Sequence, residues 1–136
     1  LDMQHAPGLA LPLYLDDESP AEAVARASLL FTVRFDDRLD VVLLGLGPDG
    51  HIASLFPGHI DVGGEAPIAS LESSPKPPPQ RVTLTRSTLL RSTHNVVLAF
   101  GASKRDALQR ALNQDPALPT SGLPGLIFIT DQELSP

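Results

Sequence analysis

Cysteine is absent from the 136 residues, which excludes disulfides, thiolate catalysis and cysteine-based zinc sites and fits a reducing compartment, so a cytoplasmic location is expected. Tryptophan is also missing and aromatics make up only 4%, too few for the stacking platforms that hold single-stranded nucleic acid. Basic charge is scarce. Ten Lys and Arg against sixteen Asp and Glu leave a formal net charge of −6, whereas nucleic-acid binders need clustered cations that displace counterions from phosphates. No apolar run approaches the roughly 18 residues of a membrane span, because 14 prolines and 10 glycines interrupt every candidate. Residues 1–12 carry no basic start followed by an apolar core, so no signal peptide is visible. With nucleic acid and membrane set aside, a small polar metabolite is the expected partner class.

The pattern that remains alternates helices with apolar strands. Ser19 is placed as an N-cap, Pro20 at the first helical position and Glu22 in the first turn, which predicts a helix over 20–31. A polar turn at 36–40 leads into Val41 to Leu46, an unalternating apolar run of the kind buried on both faces of a parallel sheet. Residues 57–79 are rich in Pro, Gly, Ser and Glu and read as one long loop, either a lid or a wandering connection. Arg81 to Thr85 reads as a strand, 86–91 as a short helical turn, and Asn95 to Phe100 as a second buried strand. Ser103 is placed to cap a helix whose apolar stripe is Ala107, Leu108, Ala111 and Leu112. Leu126 to Ile129 makes a third apolar strand. The fold class is α/β, a doubly wound, mainly parallel, Rossmann-like sheet. Three central strands are few for this architecture, so residues 1–136 are expected to form the later part of a larger domain, associated with its front half or with another chain.

The residues with most chemical content lie directly after the first strand. Gly45-Leu-Gly-Pro-Asp-Gly-His51 sets three glycines, a carboxylate and a histidine at the carboxyl end of a buried strand, where ligand crevices form in open α/β sheets. The run Leu43-Leu-Gly-Leu-Gly-Pro-Asp-Gly-His-Ile-Ala-Ser-Leu-Phe-Pro-Gly58 resembles the signature of 6-phosphogluconolactonases, and Ser74-Pro-Lys-Pro-Pro-Pro-Gln-Arg-Val-Thr-Leu-Thr85 resembles their second block. Gly101 to Lys104 and Leu126 to Asp131 are similar to two further segments in the expected order. Glucosamine-6-phosphate isomerases share this fold and the Asp-Gly-His, but typically continue Ile-Ala-Phe-Asn-Glu-Pro, whereas Ser54-Leu55-Phe56-Pro57 follows here. The family also has an Asp-Glu-Arg block, whose arginine is expected to help clamp the substrate phosphate. No residues here match it, so either the front half is missing or those groups have been lost.

The resemblance implies hydrolysis of 6-phosphoglucono-δ-lactone to 6-phosphogluconate in the pentose phosphate route, without metal or cofactor. His51 is the expected base, since an imidazole keeps a usable neutral fraction near neutral pH. Asp49 either orients that imidazole or serves as ordinary turn chemistry. Gly45, Gly47 and Gly50 are expected to shape the backbone first and admit the ligand second. Lys104, at a helix start behind a strand-ending glycine, is the expected phosphate anchor. Arg81 is a further substrate-binding candidate, with solvent exposure or pairing to a carboxylate as the alternative. Ser54 lacks the Gly-x-Ser-x-Gly elbow of a nucleophile, which favours direct water attack. His5, His51, His59 and His94 are scattered and form no metal-ligand motif. The competing functions are an isomerase or deaminase on the same fold and a non-catalytic sugar-phosphate-binding fragment.

Overall fold

Ser19 opens the first helix through a capping box: its hydroxyl accepts from the N–H of Glu22 at 3.3 Å, and the Glu22 carboxylate accepts from the N–H of Ser19 at 2.9 Å. Together these satisfy two orphan donors, in a setting where one cap is typically worth about 1 kcal/mol. The computed structural model describes residues 10–133. In it this helix, α1, runs over Pro20–Phe35, one turn beyond the expected end at Phe31. Thr32 and Val33 are indifferent helix formers, but Phe31 and Phe35 stack with ring centroids 5.5 Å apart, and that packing carries the helix on. Asp36 then turns left-handed at φ 52° and ends it.

Three parallel strands follow in the order β1 (Val41–Gly45), β4 (His94–Ala99) and β5 (Leu126–Thr130). Between β1 and β4 lie β2 (Ile68–Leu71), β3 (Arg81–Leu84) and the short helix α2 (Arg86–Arg91), and between β4 and β5 lies α3 (Arg105–Leu112). β2 and β3 pair antiparallel, with Ile68 opposite Leu84 and Leu71 opposite Arg81, and this ribbon packs on α1. The 57–79 segment is therefore not one loop. Ile68-Ala-Ser-Leu71 is too small and polar to announce a strand, yet three of its four residues are buried once β3 supplies a partner.

A second expectation fails at β1, which is not buried on both faces. Val42 and Leu44 enter the core with Ile52, Leu55, Val97 and Leu108. Val41 and Leu43 are 60% and 66% exposed, and Ile127 and Ile129 on β5 are 47% and 46% exposed. Unbroken apolar sequence prepares a strand for cover on both sides, but among the described residues only one side of this sheet is covered. Ser103 is a third correction. It lies inside a 3-10 turn over Ala102–Lys104, and Lys104 stands at the N-cap of α3 without a side-chain cap bond. On α3, Ala107, Leu108 and Ala111 are buried while Leu112 is exposed.

Candidate active site

Parallel pairing brings the carboxyl ends of β1, β4 and β5 to one edge, with Gly45 opposite Leu98 and Leu98 opposite Ile129. The N–H of Leu46 extends the β1 pairing by donating to Leu98 O at 2.9 Å. The chain then doubles back: Gly50 N–H donates to Gly47 O at 2.9 Å, and Gly47 N–H to His51 O at 2.7 Å. Ile52, Leu55 and Phe56 are at most 1% exposed, so the loop is fastened into the core directly behind its polar tip. A catalytic side chain on such a loop inherits the rigidity of packed secondary structure.

At the tip, His51 Nδ1 lies 2.6 Å from Asp49 Oδ1, with the two side chains 20% and 35% exposed. Partial burial alone would raise the Asp49 pKa, but hydrogen bonds from His51 and then Lys76 outweigh it and hold the carboxyl well below the usual range. An ionised carboxylate can only accept, so in this contact the imidazole donates from Nδ1, which leaves Nε2 outside the pair. The Phe56 ring packs against the imidazole, centroids 4.7 Å apart, and limits its rotation.

The glycines divide by role. A Cβ on Gly47 would lie 2.0 Å from His51 Nδ1 and 2.7 Å from Asp49 Oδ1, so the bare Cα makes room for the imidazole. Gly50 has φ +92°, and a Cβ there would meet Leu118 Cδ2 at 2.5 Å. Gly45 is neither left-handed nor crowded, since nothing lies within 4 Å of its would-be Cβ.

Of the proposed substrate-binding cations, Lys104 follows Gly101 at the end of β4, beside the end of β1. Gly101 adopts φ +90°, and its N–H is braced by Asp131 Oδ1 at 2.9 Å. Arg81 is turned toward its own loop: its guanidinium donates to the carbonyls of Lys76, Pro77 and Pro78 at 3.1, 2.8 and 3.1 Å, and lies 5.6 Å from the Phe56 ring centroid. Its flank lines a depression with Tyr14, Ser54 and Gln80. Ser54 is buried and its N–H donates to Thr83 Oγ1 at 3.1 Å. His59 and His94 are exposed, and His5 lies outside the described residues. Among the described residues no three His, Cys, Asp or Glu side chains gather closely enough to hold a metal ion.

Residue-level reading of the sequence missed Lys76, whose Nζ lies 3.0 Å from Asp49 Oδ1. Flanked by prolines in a loop remote from the glycine turn, it shows no local signal of that contact.

Compared with known proteins, residues 3–126 match the family model of glucosamine-6-phosphate isomerases/6-phosphogluconolactonase. The chain belongs to this family. The Oryza sativa subsp. indica protein named Probable 6-phosphogluconolactonase 4, chloroplastic, is 48% identical over 77 residues, 56% of this chain and 24% of that protein. The 6-phosphogluconolactonase of Mycobacterium leprae (strain TN) is 38% identical over 100 residues, 69% of this chain and 40% of that one. The crystal structure of 6-phosphogluconolactonase from Thermotoga maritima superimposes with a TM-score of 0.69 at 28% identity, covering 84% of this chain and 53% of the other. The chain thus spans about half the length of that solved relative and less of the two curated ones. The fold is that of the family, a mixed α/β unit built on a parallel sheet, and no helix among the described residues is long and apolar enough to cross a membrane.

Proposed function

We propose that this chain is the C-terminal portion of a 6-phosphogluconolactonase and that its Asp49–His51 turn activates the water that opens 6-phosphoglucono-δ-lactone. The observation that carries this is the 2.6 Å Nδ1 to Oδ1 contact at the carboxyl edge of the sheet. It presents Nε2 as a base with fixed tautomer and direction. Nε2 takes a proton from water as the oxygen attacks the lactone carbonyl. The C–O bond to the ring oxygen then breaks, the imidazolium returns the proton to that oxygen, and 6-phosphogluconate leaves. Lys104, beside the Gly101 turn, is the phosphate anchor in this reading. Arg81 is assigned the secondary task of shaping the adjoining wall, and the remaining anchor comes from the front half of the domain, against the uncovered sheet face.

The names of the relatives and the local sequence favour the lactonase over the isomerase. Leu55 and Phe56 stand where the isomerase pattern turns acidic, and both are sealed in the core. The cysteine-free composition supports the cytoplasm, while the chloroplastic name of the rice relative makes a plastid the competing compartment. The test is hydrolysis of freshly prepared lactone by the full polypeptide and by His51→Ala, against the spontaneous rate. Loss of the catalysed rate in the variant is expected. Unchanged turnover would overturn the assignment, and ammonia release from glucosamine 6-phosphate would move it to the isomerase branch.

A further inference from the structure

The proline loop brings to the catalytic turn a cation that the reaction above leaves without a task. Lys76 Nζ is 3.0 Å from Asp49 Oδ1, the same oxygen that His51 Nδ1 engages. The ammonium is 37% exposed, and an exposed ion pair by itself adds little stability. What distinguishes this one is how it is presented.

The loop is closed on itself, with Ser74 N–H donating to Pro79 O at 2.8 Å and Lys76 N–H to Ser74 Oγ at 3.3 Å. Pro75, Pro77, Pro78 and Pro79 restrict its backbone before any contact forms. Arg81 gathers three successive carbonyls, including that of Lys76 itself. The backbone that carries the lysine is therefore preorganised, which lowers the entropic cost of holding its charge at one place.

The charged groups on the elements around the imidazole are few. Asp49 is on its own turn and Lys76 comes from the proline loop. Arg81 stands behind the neutral Phe56 ring, Lys104 follows the neighbouring strand, and Asp115, on the segment of Leu118, is occupied by Arg110 at 2.8 Å. Among the described residues only Lys76 engages the same Asp49 oxygen as His51. A lone carboxylate beside an imidazole orients it but also stabilises its protonated form, and a base must avoid the second effect.

We propose that Lys76 is a positioning residue for the Asp49–His51 pair: its ammonium, held out by the Arg81-clamped loop, shares Asp49 Oδ1 with the imidazole, so that the carboxylate orients the ring without drawing a proton onto it. This rests on the lactonase reading for its purpose but not for its test. The His51 ring is titrated by NMR in the full polypeptide, in Lys76→Met and in Lys76→Arg. The midpoint is expected to move to higher pH in Lys76→Met and to return toward the parent position in Lys76→Arg. In lactone hydrolysis the acid limb of kcat/KM moves the same way, with kcat at low pH falling more than KM changes. Coincident His51 midpoints in the parent and Lys76→Met, or equal displacement in both variants, would overturn the proposal. A parent that hydrolyses no lactone would sink the functional reading alone, since the ring titration needs no turnover.

Discussion

Replacing Gly47 with alanine isolates the geometry of the proposed base from the stability of the fold. The backbone at Gly47 is not left-handed, so alanine brings no conformational strain there, and the perturbation is the methyl group itself. That methyl would sit 2.0 Å from His51 Nδ1 and 2.2 Å from Cε1, against an ordinary non-bonded separation of about 3.5 Å. The imidazole must therefore move by roughly 1.5 Å. Starting from a 2.6 Å contact with Asp49, a shift of that size breaks the hydrogen bond, because Asp49 Oδ1 is itself only 2.7 Å from the new methyl and cannot follow inward.

Displacements of about 1 Å in a catalytic group can cost about 10²-fold in rate, so kcat/KM for lactone hydrolysis by Gly47→Ala should fall by about two orders of magnitude, while the unfolding free energy changes by about 1 kcal/mol or less. The assay is initial-rate hydrolysis corrected for the spontaneous reaction, paired with urea denaturation and the NMR resonances of the His51 ring. Gly45→Ala supplies the geometric comparison: with open space around its Cβ, it should leave the His51 resonances in place. Parent-like turnover in Gly47→Ala would show that the ring position does not govern the chemistry, and the mechanism proposed for the turn would be wrong.

The same turn makes two further expectations. Gly50→Ala combines a φ of +92° with a 2.5 Å approach to the buried Leu118, and strain plus overpacking should lower the unfolding free energy by about 2–4 kcal/mol; a thermal or urea shift equivalent to under about 0.5 kcal/mol would refute the packing argument. For Asp49, burial opposes ionisation but the hydrogen bonds from His51 and Lys76 prevail, so its folded-state pKa is depressed. A depressed carboxylate contributes stability that is present above its unfolded pKa of about 3.9 and is lost as pH falls toward the folded value. Urea midpoints of Asp49→Asn measured from neutral into acid should consequently decline less steeply than those of the parent, and parallel curves would contradict the pairing seen here.

The parts of the site that sequence exposes are those whose cause is local. Asp49 and His51 are two residues apart on a turn that a strand launches and glycines permit, so the pair can be suspected from the order of residues alone. The capping box of Ser19 and Glu22 is legible for the same reason. Contacts through space are not. Lys76 meets Asp49 because β2 and β3 carry the proline loop back over the turn, and β2 itself is invisible until its partner strand is known. In the sequence Gly47 reads as shaping the backbone and admitting a ligand, but its requirement comes from the imidazole lying over it. The apolar run at Val41 to Leu46 shows how the limit works in the other direction: it records what the strand is fit to have against it, while the exposure of Val41 and Leu43 records what is present.

That uncovered face bears on how the proposed activity is divided. Ile52 and Leu55, which fasten the turn, join the cluster of Val42, Leu44 and Val97 on the covered side of the sheet, and Phe56 beside them is buried too. The exposed set of Leu43, Ile127 and Ile129 alternates with that cluster and points the opposite way. The geometry of Asp49, His51 and Lys76 is therefore assembled by packing that does not use the open face, and the base should be correctly formed whenever this half of the domain is folded. Solubility makes the opposite demand. An apolar sheet face of this kind is unfavourable in water and needs cover, which in our reading the front half of the domain supplies together with the rest of the phosphate clamp. Orientation of the base and capture of the substrate then depend on different interfaces, so changes on the open face should raise KM or reduce solubility while the His51 ring keeps its tautomer and its contact with Asp49.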